Sequence, residues 1–265
     1  MQKVINTHCH IYPEKIADKA VEGIRDFYDL NMSLNGTVEN LLEDGSKVGV
    51  VHYLIQSVAT TPKQVASINE FISESVKSHP DLFTGFGTLH PDSEDIKDDF
   101  NYLTELGLKG VKLHPDFQRF AMNEERAFKI GEIVNDADVP MLVHCGDFRY
   151  NYSNPEHVKP FLEKYPDLTF IGAHFAGWSV WENATEELSG FENIYVDLSS
   201  SLYDLSPETA VDLIHAYGSD KVLWGTDYPM WDSVSEMEYF NKLDLTKKER
   251  QQILYDNAAK LLKLK

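Results

Sequence analysis

Eight short runs of β-branched and other apolar residues recur along the chain, and longer segments with helical spacing separate them. The runs fall at 3–8, 48–55, 83–89, 109–114, 139–144, 168–174, 194–199 and 220–226. Between them the spacing predicts helices near 14–29, 62–78, 94–106, 124–137, 155–165, 180–189 and 207–217. A last helix is expected at 246–262, after an unassigned stretch at 231–243. Val65, Ile68, Phe71, Ile72 and Val76 show the pattern, recurring every three or four residues so that they share one face. Regular strand–helix alternation implies right-handed βαβ crossovers and a parallel sheet. Eight such units in 265 residues match the size of a closed (β/α)8 TIM-like barrel. An open doubly wound sheet is the alternative, but no Gly-rich phosphate loop follows the first run. No linker, repeat or low-complexity tract interrupts the pattern, so residues 1–265 are read as one barrel domain.

Charge narrows the partners. With 43 acidic residues against 24 lysines and arginines the formal net charge is −19, a field that repels nucleic acid and anionic membrane surfaces. Hydrophobic content of 42% is ample for a core, yet no stretch approaches the roughly 20 apolar residues of a membrane span. Met1-Gln2-Lys3 runs directly into the first strand without a secretory pattern, so a cytoplasmic location is expected. Homo-oligomer formation is left open. The two cysteines, Cys9 and Cys145, each adjoin a histidine. Side chains alternate across a strand, so if the histidines face inward the thiols face outward, as buried, reduced packing groups rather than metal ligands.

Polar residues gather where the apolar runs end. The first ends in His8-Cys9-His10, whose histidines share a face by the same alternation and can chelate one divalent ion such as zinc. The third ends in His90, the fourth in Lys112-Leu113-His114, the fifth in His144 and the sixth in His174. The seventh ends in Asp197 and Ser199, and the eighth in Asp227. One histidine at a strand end is ordinarily structural. Five of eight strands ending in histidine is hard to explain that way, because in a closed barrel those ends meet in one cavity. The loops at the same end carry Phe148, Tyr150, Tyr152, Trp178, Trp181, Tyr228 and Trp231, some expected to pack between loops and some to touch a substrate.

His8-Cys9-His10, His144, His174 and Gly225-Thr226-Asp227-Tyr228-Pro229 together resemble the amidohydrolase superfamily, in its amidohydrolase-2 branch with the aminocarboxymuconate-semialdehyde decarboxylase-like proteins. Gly110-Val111-Lys112-Leu113-His114-Pro115 and Asn257-Ala258-Ala259-Lys260-Leu261-Leu262 are similar to that branch too. One departure is Asn6, where the branch usually has an aspartate two residues before the first histidine. That residue is not a ligand, so the site is expected to survive with altered supporting hydrogen bonds.

The resemblance implies one divalent ion held by His8, His10, His144 and Asp227, with zinc the first expectation, manganese the second, and a second ion less favoured. It implies Asp227 and His174 as catalytic groups. Asp227 would take the proton of a metal-activated water and pass it on, while His174 polarises the substrate carbonyl or steadies developing charge. Lys112, His114, Arg149, Trp178 and Tyr228 are the expected contacts of a small-molecule substrate. Lys112 could instead bridge two ions as a carbamate, His114 could serve only the turn at Pro115, and Arg149 could pair with a loop carboxylate rather than grip a substrate carboxylate. His52, His79, His157 and His215 are expected to be helical, outward or surface residues. Two reactions fit: hydrolysis of a C–O or C–N bond in a lactone, ester or amide of a small carboxylate-bearing molecule, the first expectation, and non-oxidative decarboxylation of an unsaturated or aromatic acid, the alternative. A barrel that keeps these residues without catalysis would need a broken ligand set, and no expected ligand is missing.

Overall fold

A computed structural model describes residues 2–264, and its parallel strands close on themselves as a (β/α)8 barrel. The strands are β1 Val4–His10, β2 Val50–Gln56, β3 Phe83–Gly85, β4 Gly87–Thr88, β5 Val111–Leu113, β6 Met141–Val143, β7 Phe170–Gly172, β8 Ile194–Asp197 and β9 Val222–Leu223. β3 and β4 are two halves of one stave bent at Phe86. The amide of Phe86 still donates to the Ile55 carbonyl at 3.0 Å, while that of Gly87 has crossed to Gly110 on the other side at 2.9 Å. The last stave returns to the first through Thr7 N to Trp224 O at 3.0 Å, Tyr228 N to His8 O at 3.1 Å and His10 N to Tyr228 O at 2.7 Å. Among the described residues, closure leaves no free sheet edge.

Alternation divides the apolar residues into two layers. Ile5, Leu54, Phe86, Leu142, Ile171 and Leu223 fill the barrel interior, where Ala258 of the C-terminal helix Asn257–Leu261 joins them. Val4, Tyr53, Val111, Met141, Phe170 and Val196 point the other way, into the larger core beneath the helices. Cys9 and Cys145 lie in that outer core, both buried and free, as the alternation predicts. On β1 alternation alone does not carry Ile5 and His8 to the same interior. An irregularity in register between Asn6 and Cys9 does so, turning both histidines inward above the core.

The helical regions at 14–29, 62–78, 94–106, 124–137, 155–165, 180–189 and 207–217 hold helices within a residue or two of the expected bounds. Three further helices among the described residues, Val38–Ser46, the short Pro115–Gln118 and Ser233–Asn241, were not legible. The first is short and interrupted by Gly45, whose bare α-carbon lets the Tyr53 hydroxyl pack against it. It packs on β2 as the ordinary barrel crossover would. Helix α1, Glu14–Tyr28, is therefore an extra element, and it lies across the barrel mouth. His52 corrects the expectation of an outward or surface position: it is buried on β2, with Nε2 2.9 Å from Thr84 Oγ1.

Candidate metal centre and active site

The C-terminal ends of the last three staves leave the sheet through left-handed backbone. His174, Phe175 and Ala176 have φ of 61°, 54° and 56°, Ser200 has 50° and Asp227 has 54°. Such conformations cost a residue with a β-carbon roughly 1 kcal/mol each. Here they occur where His174 and Asp227 must turn inward, and packing and hydrogen bonds hold them. Asp197 is the hub. One oxygen accepts from the amides of His174 and Ser199 at 3.1 and 3.0 Å, and the other lies 2.9 Å from His8 Nδ1.

Five imidazoles form a continuous row across the cavity floor. Ring centres are 5.2 Å apart from His10 to His8, 5.2 Å from His8 to His174, 4.9 Å from His174 to His144 and 3.9 Å from His144 to His114. Burial holds His8, His10, His114 and His144 well below the ordinary imidazole range and lowers His174 to about 4, so the row is neutral at pH 7.

The partners of the outer nitrogens fix where the lone pairs point. His8 gives its Nδ1 hydrogen to Asp197, which leaves a lone pair on Nε2. That atom lies 3.1 Å from His10 Nε2 and 3.2 Å from Asp227 Oδ1, with His10 Nε2 3.6 Å from the same oxygen. These separations match the edges of a tetrahedron built on metal–ligand bonds of about 2 Å. His174 donates from Nδ1 to the Ser199 carbonyl at 2.9 Å, and His144 from Nε2 to the Gly146 carbonyl at 3.1 Å. Two further lone pairs, on His174 Nε2 and His144 Nδ1, then face each other at 3.1 Å. Lys112 Nζ, 3.1 Å from His8 Nε2, meets the first of these lone pairs; the facing pair on His174 and His144 repels unless a cation answers it, so the donor set fits a divalent ion.

Of the four expected ligands, the structure brings His8, His10 and Asp227 into one tight group and places His144 two positions along the row from His8, beyond His174. Asp227 is oriented by Ser200, whose hydroxyl donates to Oδ2 at 2.7 Å and itself accepts from the Trp231 indole at 2.9 Å. Oδ1 is left for the histidines. Burial raises the Asp227 carboxyl to about 7, partly opposed by the Lys112 ammonium and the Ser200 hydrogen bond. Lys112 is fully buried, its Nζ 3.1 Å from His8 Nε2, and burial lowers it to about 8. Asn6 joins the last stave to the first: its Nδ2 donates to Thr226 Oγ1 and its Oδ1 accepts from the Thr226 amide. An ionised aspartate could not donate in this way.

Above the floor lies a cavity of about 520 Å³. His8, His10, Lys112, His114, His144, His174 and Asp227 all reach it. His114 is stacked at 3.8 Å on Phe117, and its ring nitrogens are taken by the Phe117 amide and the Tyr28 hydroxyl, so it shapes the wall.

Three expected substrate contacts, Arg149, Trp178 and Tyr228, are not among the residues that line the cavity. Arg149 does not line the cavity. Its Nε and Nη2 donate to Asp147 at 3.0 and 2.7 Å, and Nη1 donates to the Phe27 carbonyl at 2.7 Å. Trp178 lies behind Tyr28, edge-on at 5.1 Å, in the shell of rings around Arg149. Tyr228 is fully buried and points outward, donating from its hydroxyl to the Thr37 carbonyl at 2.8 Å. Sequence reasoning missed Tyr28, Phe117, Asp147 and Ser200. Tyr28 and Ser200 act on His114 and Asp227, 86 and 27 residues away, and carry no spacing signal. Phe117 and Asp147 lie three and two residues from His114 and Arg149, but local spacing does not show that they pack on those groups.

A family model described as amidohydrolase matches residues 5–264. Among solved structures, an uncharacterized TIM-barrel protein of Bordetella bronchiseptica superposes with a TM-score of 0.83 at 21% identity, covering 98% of each chain. A dihydroxybenzoic acid decarboxylase of Polaromonas sp. JS666, with bound manganese and the inhibitor 2-nitroresorcinol, gives 0.75 at 17% identity, over 100% of this chain and 98% of that one. A probable 2-pyrone-4,6-dicarboxylic acid hydrolase of Acinetobacter baumannii, with citric acid bound, gives 0.73 at 17% identity, over 98% and 99%. These likenesses concern the fold.

Proposed function

The chain belongs to the amidohydrolase family, and from that footing we propose that it is a metal-dependent hydrolase acting on a lactone, ester or amide of a small molecule. The observation that carries the reading is the convergence of His8 Nε2, His10 Nε2 and Asp227 Oδ1 within 3.1 to 3.6 Å of one another at the base of a cavity. His8, His10 and Asp227 hold the ion in this reading, and His144 Nδ1 completes the set. Zinc suits three imidazoles and a carboxylate, and manganese, present in a decarboxylase of the same fold, is the second choice. When bound, the ion supplies Lewis acidity to the carbonyl and lowers the pKa of water toward neutrality.

The protein groups divide the remaining work. Asp227, with Oδ2 fixed by Ser200 and Oδ1 turned to the cavity floor, is placed to take a proton from the attacking water and return it to the leaving atom. Lys112 and His174 flank the same space; Lys112 is able to donate to a developing oxyanion, and the lone pair on His174 Nε2 to accept a hydrogen bond from water or from a substrate O–H or N–H. Burial of the floor strengthens each of these interactions by excluding bulk water.

Decarboxylation is the second reading, favoured by the decarboxylase of the same fold and by Lys112, a buried cation beside His8 that could hold a carboxylate. Hydrolysis is preferred because Arg149 is tied to Asp147 and gives the cavity no bidentate carboxylate clamp. A panel of lactones, esters, amides and aromatic acids, assayed for acid release and for carbon dioxide, separates the two. Carbon dioxide from the acids, with no hydrolytic turnover, would reverse the assignment. Metal analysis should find a divalent ion in the purified protein and its loss in the His8→Ala/His10→Ala double variant.

A further inference from the structure

The wall of the cavity is chemically unlike its floor. Helix α1 turns Ile16, Ala20, Ile24 and Phe27 toward it, residues spaced by four, four and three that form one helical stripe. Ile68 and Phe71 of the helix Val65–Ser78 face the same space. Ile16 is 50% exposed and Ile24 and Phe27 are only partly buried, although a core-facing stripe should be covered.

Most polar groups on the wall are already engaged. The Tyr28 hydroxyl is 3.0 Å from His114 Nε2, and Ser57 donates to the Ile11 carbonyl. Thr60 donates to Gln64 Oε1 at 3.0 Å, and Ser67 to the Gln64 carbonyl at 3.2 Å. Apart from Lys112 on the floor, the one cationic side chain along the lining, among the described residues, is the exposed Lys19 of α1. A substrate with several hydroxyls, or with a second carboxylate far from the floor, would lose hydration there and find few partners. An apolar body would gain burial along its whole length.

We propose that the substrate carries a single carbonyl or carboxylate head, seated on the histidine–aspartate floor, and an extended apolar body without a second charged group, lying along the Ile16–Ala20–Ile24–Phe27 stripe. This rests on the floor being the reacting end of the cavity. It departs from the dicarboxylate and dihydroxybenzoate named for the neighbours of the same fold. In those compounds polar groups surround the ring. Here the polar recognition is confined to one end.

Calorimetric titration of the metal-loaded full-length protein with straight-chain alkanoates, from butanoate to octanoate, tests the proposal without requiring turnover. Each methylene buried on the stripe should tighten binding about 4-fold, the factor that about 0.8 kcal/mol represents. The heat capacity change should become more negative along the series. The α,ω-dicarboxylate of each length should bind more weakly than its monoacid. Ile24→Asn and Ile68→Asn, on different helices so that misfolding of one leaves the other to read, should weaken octanoate by about 10-fold and leave butanoate unchanged. Affinity that does not rise with chain length, or dicarboxylates that bind more tightly, would overturn the proposal. Chelation should weaken every member by a common factor and leave the slope. The slope therefore reads the body and chelation reads the floor, and the two readings fail separately.

Discussion

Replacing Arg149 by methionine should loosen the roof of the cavity without touching its floor. The guanidinium donates twice to Asp147 and once to the Phe27 carbonyl near the end of α1, and four rings surround it with centres 5.0 to 5.4 Å away. Asp147 is fully buried, whereas Arg149 keeps 25% of its side-chain exposure. Methionine retains the stem but leaves the carboxylate with one backbone donor, the amide of residue 149, at 2.8 Å in the native protein. Removing one partner of a buried pair costs about 3–5 kcal/mol, and the partial exposure of the guanidinium points to the lower end, about 3 kcal/mol. At about 2 °C per kcal/mol for a chain of this size, Tm should fall by about 6 °C. Asp147→Ala leaves a cation that can reach water and should cost less, about 1–2 kcal/mol. The double variant should then fall short of the sum of the two, the signature of direct coupling. Hydrogen exchange should speed up in α1 while the strands stay protected. An unchanged Tm, unchanged α1 exchange, or additive single effects would refute the reasoning.

Gly225→Ala places a β-carbon 2.9 Å from His8 Cβ and 3.2 Å from its amide, both fixed by the closure between the first and last staves. His8 must shift, and metal affinity, measured against a competing chelator, should weaken by about 10–100-fold with the barrel intact. Asp227→Asn should lower turnover by about 10²–10⁴-fold while the Ser200 and Trp231 hydrogen bonds persist; activity near wild type would remove Asp227 from the proton path. Glu236 is fully buried with both carboxylate oxygens unpartnered, and burial raises it well above the ordinary glutamate range. A raised carboxyl contributes stability below its unfolded pKa, near 4.5, and loses it as pH rises, by about 1.4 kcal/mol per unit until the folded pKa is reached. Glu236→Gln should therefore gain on wild type from pH 5 to pH 8, and a Tm difference that stays flat with pH would sink this account.

Much of the site was legible because barrel geometry gathers strand ends. His8, His10, Lys112, His144, His174 and Asp227 each close an apolar run, and the fold alone brings them to one cavity floor. The contacts assigned to Arg149, Trp178 and Tyr228 were not legible. A loop residue near a ligand in sequence can turn toward the cavity or behind it, and nothing local decides which. Arg149 turns behind because Asp147 is two residues away and the Phe27 carbonyl, more than a hundred residues earlier, sits beside it.

The sequence by itself determined the barrel, since strand and helix periods are local properties and eight alternations leave few ways to bury both apolar layers. It also determined which strands end in the polar groups that reach the cavity floor. Tertiary structure alone decided that α1 roofs the mouth while Val38–Ser46 takes the crossover position beside β2. It decided as well that irregular register in β1 and left-handed turns after the last staves aim His8, His174 and Asp227 inward. These outcomes depend on contacts between segments far apart in the chain. An amphipathic stripe such as Ile16, Ala20 and Ile24 states that it must face something apolar, and only the folded molecule shows that it faces a cavity.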